Sequence, residues 1–293
     1  MELSVTGTFY STLTGLALAA FYMLNKKTAH AGKALPVILW IFVCHLPIFL
    51  FWALWQPPSH IEPIYFVPGT IVVLLTIAGN LLTIRALSLS PFSLMIPVLG
   101  LSPVFTALIG IPLLHEWPSS IQWLGILLAV LGVLWLYAPP ERPWDVLSFW
   151  SGFLKERGAL CITLAALMWA LAAPMDKISL RHADPQFHAL YVFTGFVIAL
   201  TIAFTLRGGF SDEPIARRHW PLIAFTGAVG GLSYILQLFA LQVTPAGPFE
   251  AIKRVMSQFL AVLLGYFFFE EKITKPKLIG IVILSIGVPL IVI

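Results

Sequence analysis

Ten apolar stretches follow one another along the chain, at roughly 6–25, 36–55, 64–86, 91–113, 119–138, 158–176, 187–206, 219–241, 246–269 and 276–293. Each is close to the ~20 residues that an α-helix needs to cross the hydrocarbon of a bilayer. Polar residues cluster in the short connections, none of which has room for a soluble domain. The longest runs from Pro139 to Arg157, and its Pro139-Pro140 and Pro143 predict an extended path. The pattern therefore predicts an all-α integral membrane protein with ten transmembrane helices.

The stretches also repeat. Ala86-Leu87-Ser88-Leu89-Ser90-Pro91 closes one apolar segment and opens the next, and Ala240-Leu241-Gln242-Val243-Thr244-Pro245 does the same 154 residues later. At that offset Glu116 meets Glu270; with one residue of slippage Gly125 meets Gly280 and Gly132 meets Gly287. A weaker match pairs Asn25-Lys26 with Asp176-Lys177. The expected organisation is a first five-helix repeat over 1–138, a linker over 139–157 and a second five-helix repeat over 158–293. Five is odd, so the second repeat must enter the membrane from the opposite side. Two inverted membrane halves are the build of a secondary transporter, with the substrate path between them.

Composition sharpens this. Hydrophobic residues make up 59% and charged residues 10% of the chain, against about 25% charged in soluble domains, which excludes a soluble enzyme. The first span has no Lys or Arg before it and a long apolar run, so it is expected to persist rather than be cleaved as a signal peptide. Cys44 and Cys161 fall inside spans and read as small buried residues; there is no CxxC and no Cys/His cluster, so no metal or other cofactor is expected. The formal charge of +4 is loop charge rather than a nucleic-acid footprint. Thirteen of the 17 Lys and Arg residues lie at alternate connections, and only Lys177 and Arg181 lie on the other side. Basic connections face the cytoplasm, so both termini are expected outside it, in what we expect to be a bacterial inner membrane.

The stretch Leu94 to Tyr137 holds Met95-Ile96-Pro97 and Ser102-Pro103-Val104-Phe105, then Glu116, Gly125 and Gly132; the second half holds Ala251-Ile252-Lys253-Arg254, Gly265, Glu270, Gly280 and Gly287. Over nearly the whole chain this resembles the EamA-type transporters of the drug/metabolite transporter superfamily. The resemblance implies two inverted repeats around a central cavity and a small-metabolite substrate such as an amino acid or sugar; its motifs speak for the fold, not the substrate. The small four-helix multidrug members carry a membrane-embedded Glu in their first helix. The first span here has no carboxylate, and the sixth has only Asp176 at its far end.

Several residues could carry function. Glu250, Lys253, Arg254 and Ser257 share one face of the ninth span at i, i+3, i+4 and i+7. Embedded charge costs roughly 2.5–3.5 kcal/mol per residue at a span centre, so it usually faces protein or a wet cavity. The matching first-half positions are Ile96, Leu99, Gly100 and Pro103, so the fold itself does not demand charge there. A net positive group suits a carboxylate or phosphate on an anionic or zwitterionic substrate. The alternative is a structural pair that snorkels to the surface, since Lys253 lies only eight residues past Pro245. Thr76, Asn80 and Thr83 share a face of the third span; Ser233 and Gln237 share one on the eighth, with Tyr234 beside them. The repeat aligns Asn80 with Tyr234 and Thr83 with Gln237. Asn80, Tyr234 and Gln237 are candidate substrate contacts, with interhelical hydrogen bonding as the alternative.

Arg85 reads as an anchor at a span end, with a cavity-facing role as the alternative, and His45 as a packed neutral histidine, with a proton relay as the alternative. Tyr22 and Trp169, on the first helix of each half, read as packing or as stacking partners for substrate. Glu116 and Glu270 recur at span ends and are expected to bond loop amides or a neighbouring helix end. There is no GxxxxGK[ST], so energy must come from a gradient. The expected function is a secondary carrier, in the direction of export, for a small polar metabolite such as an amino acid or organic anion. A flippase for a lipid-linked phosphate or sugar is the alternative. A membrane-embedded enzyme would need convergent catalytic groups, and the seven histidines are scattered singly along the sequence.

Overall fold

The computed structural model describes residues 5–32, 34–114, 117–136, 146–206 and 215–291. Its helices are α1 (Val5–Thr28), α2 (Ala34–Val43), α3 (Leu46–Trp55), α4 (Phe66–Leu89), α5 (Phe92–Val98), α6 (Ser102–Leu114), α7 (Ser120–Trp135), α8 (Val146–Lys155), α9 (Ala159–Ser179), α10 (Pro185–Leu206), α11 (Trp220–Val243), α12 (Ala246–Phe269) and α13 (Lys275–Leu290). Among the described residues, seven helical segments are long and apolar enough to cross a membrane: Val5–Thr28, Pro36–Trp55, Pro63–Leu89, Ala159–Ser179, Pro185–Leu206, Arg217–Val243 and Ala246–Phe269. Phe92–Thr106 and Ser120–Trp135 are shorter apolar helices. Large apolar side chains such as Phe51, Leu54, Leu74 and Phe267 face outward, as helices immersed in lipid require.

Proline chemistry explains two interruptions. The stretch 36–55 is broken at Cys44-His45, where Pro47, in the first turn of α3, supplies no N–H to continue the ladder from α2. The stretch 91–113 breaks at a 3₁₀ turn over Leu99–Leu101, bracketed by Pro97 and Pro103. Helix α9 instead runs through its internal Pro174. Between the halves the extended path expected from the prolines is corrected downstream of Pro143. Residues Val146–Lys155 form a helix, because that segment has no further proline and carries apolar residues at Val146, Phe149 and Phe153, one and two turns apart. The prolines themselves lie outside the described residues.

The helices pack in pairs: α7 against α13, α4 against α9, and α1 against both α11 and α12. The α7–α13 contact is backbone-close. A Cβ on Gly132 would lie 2.9 Å from the Gly280 carbonyl oxygen, and one on Gly125 would lie 2.8 Å from that of Gly287. At one end of the bundle, residues 59–62 and 182–184 are tied together. Ile61 and Ala183 form an antiparallel bridge, and Asp184 Oδ2 accepts the amides of Ser59 (2.6 Å) and His60 (2.9 Å). At the other end Glu271 accepts the amides of Phe92 (2.6 Å) and Ser93 (2.8 Å) and meets Lys26 Nζ at 3.3 Å.

Candidate functional site

Helix α12 begins after Pro245 and carries Glu250, Lys253, Arg254 and Ser257 on one buried face, as the i, i+3, i+4, i+7 spacing requires. Lys253 and Arg254 are 4% and 1% exposed. Neither snorkels to the surface: both line a cavity among the helices. Its walls come from α1 (Tyr22), the α2–α3 corner (His45), α4 (Asn80), α9 (Trp169, Asp176) and α11 (Tyr234, Gln237), among others.

The charges form one connected group. Glu250 pairs with Lys253 Nζ through Oε1 and with Arg254 Nε through Oε2, at 3.3 Å. Arg254 Nε also donates to Ser102 Oγ at 2.9 Å. Among the described residues Arg254 Nη1 is buried without a hydrogen-bond partner. Lys253 Nζ donates to Gln237 Oε1 at 3.2 Å, and Gln237 Nε2 donates to Asp176 Oδ2 at 2.8 Å. Tyr234 donates to Asp176 Oδ1 at 3.0 Å. Gln237 thus bridges the cationic pair to a second buried acid.

That second acid is part of a cluster the sequence reading missed. Asp176 is 1% exposed, and its Oδ1 lies 3.0 Å from His188 Nε2; His188 is fully buried, with Nδ1 2.9 Å from the Tyr65 hydroxyl. The turn between α9 and α10 folds residues 176 and 188 together, although twelve residues separate them. The available signal was the match of Asp176 with Asn25, an acid in one half where the other half has an amide.

The other sequence candidates are placed as follows. Asn80 is buried, lines the cavity and donates to the Thr76 carbonyl at 2.9 Å. Trp169 and Tyr22 line it too, and Trp169 Nε1 donates to Thr83 Oγ1 at 3.4 Å. His45 is packed between the rings of Phe42 and Phe193, its Nδ1 2.8 Å from the Ile41 carbonyl oxygen. Arg85 is exposed, away from the cavity. Glu116 lies outside the described residues. Glu270 is exposed, with φ 54° at the end of α12. The amide-bonding role expected of it falls to its neighbour Glu271, because the left-handed residue turns the chain so that residue 271 meets the start of α5. Burial opposes ionisation of Glu271, but the hydroxyl and amide of Ser93, with Lys26 and the Phe92 amide, hold its carboxyl below the usual range.

A bundle of long apolar helices around a cavity lined by charged side chains defines a multi-pass membrane protein of the transporter class. The chain belongs to the EamA-like transporter family, which it matches over residues 5–138 and again over 156–293. It is 22% identical over 188 residues to an uncharacterized transporter, YoaV, of Bacillus subtilis (strain 168), a match spanning 64% of this chain and 61% of that protein. One crystal structure, of a protein without a function in its name, superposes with a TM-score of 0.64 over 99% of this chain and 96% of its own, at 14% identity. That likeness concerns the fold alone. The family is one of transporters.

Proposed function

We propose that the protein is a gradient-driven carrier for a small anionic or zwitterionic metabolite, such as an organic acid or amino acid, working by alternating access between two inverted repeats in a bacterial inner membrane. The observation that carries the substrate reading is Arg254. It is a guanidinium buried to 1% exposure beside the cavity, with Nε engaged and Nη1 without a hydrogen-bond partner among the described residues. Buried polar groups are normally satisfied, and an unpartnered guanidinium nitrogen beside a cavity suits a carboxylate or phosphate oxygen. Lys253 adds a second cation; Tyr234, Gln237 and Asn80 add neutral hydrogen-bonding groups around the same space.

Ten spans in two five-helix repeats, over 1–138 and 158–293, are supported by how the packing behaves when the halves are exchanged. The pair α1·α11 becomes α9·α4, and both pack closely. Gly125 and Gly132 correspond to Gly280 and Gly287, yet the close approaches are Gly125·Gly287 and Gly132·Gly280. Such crossed pairing is what a two-fold axis between α7 and α13 generates. Lys26 Nζ donates to the Ser90 carbonyl at 3.2 Å, and its counterpart Lys177 donates to that of Thr244 at 2.6 Å, 154 residues further on. A carrier without an ATP site runs as its gradients dictate, and export is the direction for a metabolite accumulated inside.

The test is counterflow in proteoliposomes with amino acids, organic anions and sugar phosphates. Wild-type protein is expected to exchange one anionic or zwitterionic class. Lys253→Ala and Arg254→Ala, at equal protein in the membrane, are expected to lose that exchange. Leu99→Ala, at the position matching Lys253, should be milder. Full exchange by a variant lacking both cations removes the site assignment.

A further inference from the structure

We propose that the buried Asp176–His188 pair is the coupling site of this carrier, taking up one proton together with each negative charge that binds at Lys253 and Arg254. The inference rests on the carrier reading above and adds the coupled ion and the residues that hold it.

Charge balance carries the argument. The connected buried groups are two carboxylates, Asp176 and Glu250, and two cations, Lys253 and Arg254, all 1–4% exposed. With His188 neutral, their sum is zero. An anion entering the cavity makes it negative, and uncompensated charge inside a membrane protein is costly. The group needs one added positive charge, and His188 is placed to hold it. Among the described residues it is the imidazole hydrogen-bonded to this network, through Asp176 and Tyr234. Glu250 is poorly placed for the task, being held between the two cations.

The proton has a defined place. In the neutral state the network assigns Nε2–H of His188 to Asp176 Oδ1, with Nδ1 accepting from the Tyr65 hydroxyl. A proton drawn from water adds at Nδ1. The imidazolium then donates from Nε2 to the carboxylate and from Nδ1 to the Tyr65 oxygen; on the opposite side of the membrane the same proton returns to water. The groups facing the pair are Tyr65 preceding α4, Tyr234 and Gln237 of α11, and Lys253 of α12 through Gln237. Lys177, next in sequence to Asp176, is turned to the Thr244 carbonyl instead. Gln237 bonds both Asp176 and Lys253, so movement of the ammonium toward an anion is felt directly at the acid.

The fold does not demand this acid. Asn25 occupies the matching place in the first half, where its Nδ2 donates to the Phe21 carbonyl at 3.1 Å. Asp176→Asn therefore recreates in the second half what the first half already carries.

The experiment uses full-length protein in liposomes with pyranine trapped inside, potassium and valinomycin clamping the membrane potential at zero, and lactate, glutamate, inorganic phosphate and leucine as probes. For net uptake of a monoanion into liposomes empty of it we expect lumenal acidification of one proton per anion, and about tenfold accumulation for one pH unit of gradient. Asp176→Asn and His188→Gln are expected to abolish both acidification and accumulation while some exchange persists. Net anion uptake by wild type with no proton movement overturns the coupling and leaves the carrier reading standing. Accumulation retained by both variants also overturns it. Absence of exchange for every probe in wild type overturns the carrier reading, and the coupling with it.

Discussion

Replacing Glu250 with Gln removes the carboxylate that, among the described residues, touches both Lys253 and Arg254. Glu250 is 4% exposed and engages Lys253 Nζ, Arg254 Nε at 3.3 Å and Ser102 Oγ at 3.4 Å. The variant keeps shape and volume but leaves the buried group with one surplus positive charge. Breaking a buried pair from one side costs about 3–5 kcal/mol, since the stranded charge keeps its desolvation penalty. The expected loss of folding stability is of that order, read as reversible unfolding in bicelles or as inactivation temperature in nanodiscs. The double variant Glu250→Gln with Lys253→Met restores neutrality, because Asp176 and Arg254 then balance. It should recover more than half of the loss, although a second polar contact has been removed. A ligand anion that fills the cavity should likewise stabilise the single variant more than the wild type. A single variant within about 1 kcal/mol of wild type, or a double variant no better than the single, would show that water already solvates these charges and that the balance argument fails.

Two further outcomes follow from the ends of the bundle. A reporter fused at Ile293 should be active only on the non-cytoplasmic side, given basic residues at alternate connections; activity confined to the cytoplasm reverses the orientation. The Glu271 latch on Phe92 and Ser93 should show a defined pH window. Its carboxyl is held below the ordinary range, so its stabilisation is fully present above the unfolded value near 4.5 and is lost as pH falls through the lower folded value. The stability difference between wild type and Glu271→Gln should be constant from pH 7 down to about 5 and shrink below it; a difference that shrinks between pH 7 and 6 assigns the effect to another group.

Much of the architecture was legible because bilayer physics writes it in length and hydropathy. Each long helix begins or ends within a few residues of its apolar stretch, and the Ser90-Pro91 and Thr244-Pro245 junctions mark where a helix must stop. The face of α12 followed from helical spacing alone. What spacing within one element cannot give is a partner on another. His188 reads as an isolated polar residue at the start of a span until the α9–α10 turn lays it on Asp176. Tyr65 reads only as one more apolar residue at the start of the third span, and its place depends on Gly69, where a Cβ would fall 2.8 Å from its ring. Glu270 and Glu271 were distinguishable only by backbone conformation, since a single left-handed residue decides which carboxylate reaches α5.

The repeat sorts these residues further, because each half is a control for the other. Where both halves carry the same device, the fold accounts for it: Lys26 and Lys177 each bond the carbonyl of the residue that follows a helix, and the four glycines bring α7 and α13 together. Where the halves differ, the fold has shown that it can do without the charge. Asn25 stands against Asp176, Leu99 against Lys253, Gly100 against Arg254 and Asn80 against Tyr234. The charged members of these pairs come from the second half and converge on one side of the cavity; Asn80 from the first half is neutral. A two-fold scaffold can rock symmetrically, but a ligand with one anionic end has no two-fold axis. On the carrier reading proposed above, an asymmetric set of charges within a repeated frame is the arrangement such a ligand would require, and binding and coupling then fall to α9 to α12, with packing the first half's larger share.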